Sequence, residues 1–300
     1  MMKILLLGKN GQVGWELQRS LSTLGEVIAL DRSLGRYSNN GLSGNLEDVE
    51  GLIKTIRQVR PDILVNAAAY TAVDKAETEQ MQAIRINTDA PRLLAEEMEA
   101  LGGWLVHYST DYVFNGQGDL PWRETDPTGP LNYYGHSKLL ADQYISAGGC
   151  RHLIFRTSWV YGLRGHNFAR TIFNLAHERA ELKIVGDQFG VPTGADLIAD
   201  VTAHALRCVL VNPELGGLYH LAPSGETTWF DYAQLVVDSA RRKGAPLAVH
   251  WVVPIPTADY PTPARRPTNS RLDTTKLRRN FGIHLPDWRP GVIRAVESFT

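Results

Sequence analysis

Hydrophobic and polar positions along the first half of this chain fall into two alternating registers. Short, mostly apolar runs at 3–7, 27–30, 63–66, 104–108 and 153–156 predict strands. Between them, stretches with helical spacing at 13–24, 46–59, 81–100 and 134–147 predict helices. Strands that are apolar throughout are buried on both faces, so the order predicts a parallel sheet covered by helices on either side. The expected class is α/β, a Rossmann-like doubly wound parallel sheet. Asn45 is placed to cap the second helix, and the run from Asn87 to Pro91 interrupts or re-aims the third.

The last third reads differently. Pro254, Pro256, Pro261, Pro263 and Pro267 punctuate a segment that cannot lie in a central strand or a helix interior. It is expected to form a surface arm, or a loop that orders on ligand, within a second and smaller region. The length of 300 residues accommodates one large unit and one small one.

Bulk properties mainly exclude. With 31 basic and 32 acidic residues the net charge is −1, which leaves no electrostatic footprint for nucleic acid. The apolar run at 4–7 stops at Gly8, too short for a signal peptide, and no run of eighteen apolar residues predicts a membrane span. Cys150 and Cys208 have neither metal spacing nor a disulfide framework, which suits a reducing compartment; a cytoplasmic location is expected.

Gly8-Lys9-Asn10-Gly11-Gln12-Val13-Gly14 follows a predicted strand and opens a helix. Glycines there let the backbone approach a pyrophosphate, whose charge sits on the helix N-terminus. The spacing differs from the usual dinucleotide fingerprint, and glycine also serves ordinary strand-to-helix turns, so the context of strand, turn, helix and second strand carries the reading. Asp31 ends that second strand, where a carboxylate accepts bonds from an adenine ribose and favours NADH. Arg32 beside it offsets this by pairing a 2′-phosphate, which leaves NADPH and NADH both open. Small residues follow the third strand in Asn66-Ala67-Ala68-Ala69-Tyr70-Thr71, where ligands of open α/β sheets bind.

Thr110 follows the fourth strand. Tyr134 and Lys138, four apart on the next helix, share one face and form the chain's one Tyr-x-x-x-Lys. A carbonyl being reduced needs placed hydrogen-bond donors and a proton. Tyr134 is assigned as the proton donor and Thr110 as a second donor to the same oxygen. An ammonium within a few ångströms lowers a phenol's pKa by roughly 1–3 units, so Lys138 is expected to make Tyr134 the stronger acid.

These motifs resemble the extended short-chain dehydrogenase/reductase superfamily. More narrowly, the runs Ser109–Phe114, Arg156–Tyr161 and Arg266–Asp273 are similar to those of the dTDP-4-dehydrorhamnose reductases, and the likeness spans essentially the whole chain. The resemblance implies Thr110, Tyr134 and Lys138 as the catalytic trio. It implies cofactor contacts at Gly8, Gly11, Gln12, Val13, Gly14, Asp31, Asn45, Leu46, Ala69, Tyr70, Thr71, Tyr108, Tyr134 and Lys138, with Asn45 standing where Asp is common. It implies a nucleotide-sugar site at Thr110, Asp111 and Trp159, with Arg265, Arg266 and Asn269 on an arm that grips the diphosphate. The implied organisation is a dinucleotide-binding domain over 1–162, with a returning segment near 188–222, and a discontinuous substrate-binding domain over 163–187 and 223–300. The family also admits Mg²⁺ at a homodimer contact; Glu16, Asp196 and Glu297 are the nearest matches, with Asp196 where Glu is usual. The implied reaction is NAD(P)H-dependent reduction of the 4-keto group of dTDP-4-dehydro-L-rhamnose. The catalytic trio does not choose the sugar, so reduction or epimerisation of another nucleotide-activated sugar stays open. So does a non-catalytic dinucleotide-binding regulatory subunit, against which the intact trio argues.

Overall fold

The computed structural model describes residues 1–33 and 41–299. Its centre is a six-stranded parallel sheet. The strands are β1 (Lys3–Leu7), β2 (Glu26–Leu30), β3 (Ile63–Asn66), β4 (Trp104–Thr110) and β5 (Arg151–Thr157), with the strand Gly217–His220 beyond β5. Across the sheet they run β2, β1, β3, β4, β5, Gly217–His220. Side chains alternate between faces along a strand. Ile4 and Leu6 therefore join one core layer, with Val65, Val106, Phe155 and the helix Ala195–Val211. Leu5 and Leu7 join the opposite one, with Leu64, Leu105, Ile154 and the helices Val49–Val59 and Ala90–Leu101. Both faces are filled, as the uniformly apolar strands require.

A third cluster lies apart from the sheet. Ile172, Phe173, Leu182, Tyr232, Val236, Trp288 and Val292 pack between the helices Phe168–Glu178, Trp229–Arg242 and Trp288–Glu297. The proline-rich segment begins with a strand, Trp251–Ile255, that contains Pro254 and pairs in parallel with Glu181–Val185. The expected loop or arm is thus in part a strand. It belongs to a two-stranded sheet, in which each strand keeps an open edge that tolerates proline's missing N–H.

Three local expectations shift. The second helix starts at Val49, and its cap is Asp48, whose side chain accepts the Gly51 N–H; Asn45 instead accepts from Glu47 N in a turn upstream. The third helical stretch divides into Gln80–Ile84, a π-helical turn Arg85–Asp89 and Ala90–Leu101, at the place where Asn87 to Pro91 was expected to re-aim it. β4 runs on to Thr110, which therefore ends the strand rather than following it.

The chain reverses direction across the sheet between β1 and β3, and the carboxyl ends of these strands border a crevice. Apart from Glu16 on the helix Gln12–Leu21, the candidate residues numbered up to 159 sit on or just after a sheet strand's carboxyl end, in the segment before the second helix, or on the helix Tyr133–Ala147.

Candidate active site

The glycine turn is built for close approach. Gly8 has φ +88°, and a Cβ there would lie 2.7 Å from Ala68 N. A Cβ on Gly14 would fall 2.1 Å from the Gly8 carbonyl oxygen. Both positions exclude a side chain, and they bring the start of the helix Gln12–Leu21 against the end of β3. Gly11 caps that helix without a side-chain bond, so its first N–H groups point outward unspent. Gln12 accepts at Oε1 from Asn167 Nδ2 at 3.0 Å, and Asn167 also caps the helix Phe168–Glu178. That contact ties the glycine turn to the third core.

Asp31 stands at the end of β2, bonded by Ser33 N at 2.8 Å and by Asn10, with Lys9 Nζ at 3.8 Å. Burial pushes its carboxyl up, but the Ser33 bonds, Lys9 and Asn10 outweigh that and hold it below the usual range, so it is ionised. Leu46 is buried under β2 in the core layer with Leu30 and Leu52. Ala69 and Thr71 are exposed, and Tyr70 between them bonds Glu79. Burial and then Glu79 push the Tyr70 phenol up to about 12.

The catalytic helix begins with Asn132, whose Oδ1 accepts the Gly135 N–H at 2.8 Å while its Nδ2 donates to the Arg265 carbonyl. A Cβ on Gly135 would meet the Tyr112 carbonyl at 2.2 Å, so this helix start presses directly on the 3₁₀ turn Asp111–Val113 that follows β4. Through that contact Tyr134 reaches Thr110 and Asp111. The Tyr112 and Tyr134 rings meet edge to face, 6.0 Å between centroids. Asn87, on the π-helical turn, binds both the N–H and the carbonyl of Tyr70 and also Ser137 Oγ, locking the loop after β3 to the catalytic helix.

Electrostatics here run against one expectation. Burial holds the Tyr134 phenol well above its ordinary value; the Asp111 carboxylate adds to that, and only the Thr110 hydroxyl pulls it back. Lys138 is not among the groups that shift the Tyr134 phenol. Its Nζ turns toward β4, donating to the Tyr108 carbonyl at 2.5 Å and lying 3.0 Å from His107 Nε2. Burial lowers the Lys138 ammonium to about 8 against the opposing pull of Asp142. The physical reason is local: a fully buried Nζ takes the nearest polar partners, which β4 supplies. Tyr134 is thus a phenol that keeps its proton at neutral pH, rather than a pre-acidified one.

Asp111 is 3% exposed, and burial pushes its carboxyl up to about 7, a cost that the Ser270 and Thr110 hydroxyls partly offset. The Tyr108 side chain points away from the crevice, its hydroxyl 2.8 Å from Thr202 Oγ1 on the helix Ala195–Val211. Of the expected cofactor contact at Tyr108, only the carbonyl that holds Lys138 remains. Trp159 follows β5 at φ +47°, a left-handed conformation that costs a bulky residue energy and marks a constrained position. Its ring stacks on Trp229 with centroids 3.6 Å apart, and Gly190 leaves room beneath it. Arg266 makes a bidentate pair with Asp74 at 2.9 and 3.1 Å, so its fork is already engaged. Asn269 is 1% exposed and spends its side chain on the Leu120 carbonyl and on Arg271, which makes it a fastener of the arm rather than a ligand contact.

Taken together, a hydroxyl, a phenol and a carboxyl converge beside a glycine-lined crevice, with a buried lysine behind them. The family described as RmlD substrate binding domain matches residues 2–300. A dTDP-4-dehydrorhamnose reductase of Escherichia coli (strain K12) is 54% identical over 300 residues, 100% of this chain and 99% of that protein. The chain belongs to the dTDP-4-dehydrorhamnose reductase family. Among solved structures, the reductase from Clostridium acetobutylicum is 32% identical with a TM-score of 0.87, over 99% of both chains. The reductase from Bacillus anthracis, in complex with NADP, is 31% identical with a TM-score of 0.85, over 98% of both chains.

The three acids expected near a metal at a dimer contact each sit by a basic side chain of their own chain. Glu16 lies 3.9 Å from Arg19 Nε, Asp196 pairs with Arg294, and Glu297 lies 3.7 Å from Lys243 Nζ. Among the described residues no three His, Cys, Asp or Glu side chains converge as a metal cluster.

His107 and Asn132 had no expected role, and Asn66 and Asn87 were expected only as parts of a strand-end run and a helix break, without the bonds their side chains make. Asn132 was readable as a helix cap before Tyr133. His107 was readable as a polar side chain inside an apolar strand, which demands a partner.

Proposed function

We propose that this chain reduces the 4-keto group of dTDP-4-dehydro-L-rhamnose to dTDP-L-rhamnose, with NADPH or NADH as reductant. The observation that carries the reading is the Tyr134 phenol, protonated at neutral pH, beside the Thr110 hydroxyl at the carboxyl edge of β4. The glycine turn fits a dinucleotide because Gly8, Gly11 and Gly14 leave the backbone bare at a helix start whose N–H groups are free for a pyrophosphate. When bound, that dinucleotide supplies a hydride to carbon 4 of the sugar.

The chain's own residues do the rest. Thr110 and Tyr134 donate hydrogen bonds to the ketone oxygen, where negative charge develops. Tyr134 then yields its proton to that oxygen, with Asp111 close by to disfavour a lasting phenolate. Lys138, whose Nζ rests on the Tyr108 carbonyl, is the residue assigned to hold the cofactor ribose. Trp159, braced by Trp229, offers an apolar ring to the deoxysugar, and Arg265 reaches the diphosphate while Arg266 anchors the arm to Asp74. The sheet core with residues 1–162 and the return near 188–222 forms the dinucleotide domain in this reading, and the third core forms the substrate domain.

The same reading places the protein in the cytoplasm, where reduced dinucleotides and nucleotide sugars are pooled, as a homodimer. No helix among the described residues is long and apolar enough to cross a membrane. The test is dinucleotide oxidation on a panel of 4-keto sugar nucleotides. Preferred turnover of the rhamnose precursor supports the reading, and preferred turnover of another sugar replaces it.

A further inference from the structure

His107 lies in the middle of β4, 1% exposed, and the expected chemistry gives it no role. Its two ring nitrogens are both engaged. Nδ1 is 3.3 Å from Asn66 Nδ2 on the neighbouring strand β3, and Nε2 is 3.0 Å from Lys138 Nζ. Which of these atoms carries hydrogen follows from one fixed point at the end of the chain of contacts.

That fixed point is the backbone N–H of Ala68, which can only donate. It points at the Asn66 side chain at 3.2 Å, so the Asn66 atom there is the amide oxygen. The Asn66 atom facing His107 is therefore the amide nitrogen, which also only donates. His107 Nδ1 must accept, and a neutral imidazole then carries its proton on Nε2. Nε2–H points at Lys138 Nζ. An ammonium has no lone pair to receive it, whereas an uncharged amine has one and can still donate to the Tyr108 carbonyl at 2.5 Å. Only one polarity satisfies every member: Ala68 to Asn66, Asn66 to His107, His107 to Lys138, Lys138 to Tyr108.

We propose that His107 is a positioning residue that holds Lys138 as an uncharged amine in the cofactor-free protein, by donating its Nε2–H to Nζ. A second proton on the imidazole would face either Asn66 Nδ2 or the lysine with a donor, and burial already holds His107 well below its ordinary value. The charged and titratable groups around Lys138 are few. From β4 come His107 and Tyr108; from its own helix come Tyr134 and Asp142, the latter bonded at 2.9 Å to Arg156 of β5. Burial lowers the lysine only to about 8, which leaves the ammonium favoured at neutral pH, so it is the donated Nε2–H that holds Nζ uncharged.

The consequence rests on the reductase reading. A lysine that waits uncharged does not pull the proton from Tyr134, so the phenol stays an intact acid until the crevice fills. An anionic dinucleotide brings negative charge to the crevice and favours the ammonium, so binding should draw in a proton. Forming the ammonium requires the chain to turn over. Lys138 then donates to Nε2, His107 donates from Nδ1, and the Asn66 amide must rotate.

Long-range proton–nitrogen NMR of the full, unliganded chain with labelled histidine reads the polarity directly. The His107 signals are assigned by their loss in His107→Gln. The expected result near neutral pH is a neutral ring with its proton on Nε2 and an unprotonated Nδ1. A proton on Nδ1, or an imidazolium, would overturn the proposal, and neither result depends on which sugar is reduced. A second arm measures proton uptake on binding NADPH by calorimetry in buffers of different ionisation enthalpy, near pH 8. The wild-type chain should take up a measurable fraction of a proton. His107→Gln, whose amide can accept from Asn66 and donate to Lys138, should keep that uptake. Asn66→Asp, which can only accept and so reverses the chain, should reduce it toward none. Equal uptake in Asn66→Asp and wild type would also overturn the proposal.

Discussion

Lys138 donates from Nζ to the carbonyl oxygen of Tyr108 at 2.5 Å, across to the strand that ends at Thr110. The four-residue spacing places the lysine and the tyrosine on one helical face, but a face is wide. The strand packed against that face offers the lysine two polar partners away from solvent, the Tyr108 carbonyl and His107 Nε2. In the cofactor-free protein burial, and then the Asp111 carboxylate, hold the Tyr134 proton on, and the Thr110 hydroxyl is what pulls the phenol back toward acidity.

Tyr134→Phe removes the proton donor and little else, since the ring still packs edge to face on Tyr112. Turnover should fall by roughly 10²–10⁴-fold, the usual worth of a placed general acid. Dinucleotide affinity, followed by fluorescence titration, should stay within a few-fold. Unchanged turnover would reject the assigned acid.

Thr110 Oγ1 accepts from Tyr112 N at 3.1 Å and donates to Asp111 Oδ1 at 3.1 Å, a bond it would exchange for the ketone oxygen in the proposed reaction. Thr110→Ser retains both roles and should keep turnover within about tenfold, whereas Thr110→Val should lose about 10²–10³-fold. Steady-state kinetics on the two variants separate the hydroxyl's contribution from the side chain's shape. Equal rates in both would remove Thr110 from the chemistry.

Asp111→Asn is a pH experiment. Burial raises the folded carboxyl to about 7, above its unfolded value of about 3.9. A raised carboxyl contributes stability that is complete below the unfolded value and lost as pH climbs through the folded one. Relative to the uncharged Asn variant, the wild-type protein should lose melting temperature progressively between about pH 4 and pH 7, then run parallel above. A difference independent of pH would show that the carboxyl is not held protonated.

Asp142 and Arg156 form a buried pair at 2.9 Å, with side chains 2% and 5% exposed, and Ser109 Oγ shares the same carboxylate oxygen. Removing one partner strands the other's charge, so Arg156→Met should cost about 3–5 kcal/mol in denaturant unfolding. The change lies behind the site, so the surviving folded fraction should still bind dinucleotide. A loss below about 1 kcal/mol would mean that water relieves the stranded carboxylate.

Much of this was legible before any coordinates. Strands buried on two faces leave a run of Ile, Leu and Val that short-range pattern detects, which is why β1 and β3 fall where expected. The glycine turn was legible because Gly8, Gly11 and Gly14 sit at a strand-to-helix junction. Boundaries set by a single side chain were less so. Asp48 rather than Asn45 caps the second helix because only Asp48 stands three residues before a free N–H it can reach. Least legible were contacts that depend on strand register. His107 meets Asn66 because β3 and β4 pair at those two positions, and no spacing within either strand announces it. Arg266 and Asp74, 192 residues apart, find each other only once the arm folds back over the crevice.

The most direct test of the central claim is a coupled measurement on authentic dTDP-4-dehydro-L-rhamnose. Oxidation of NADPH and of NADH is followed optically while the sugar nucleotide is analysed by chromatography. The expected result is one reduced dinucleotide consumed for each dTDP-L-rhamnose formed, with the rate lost in Tyr134→Phe. Tight binding of both ligands with no dinucleotide consumed, or product formed equally well by Tyr134→Phe, would contradict it.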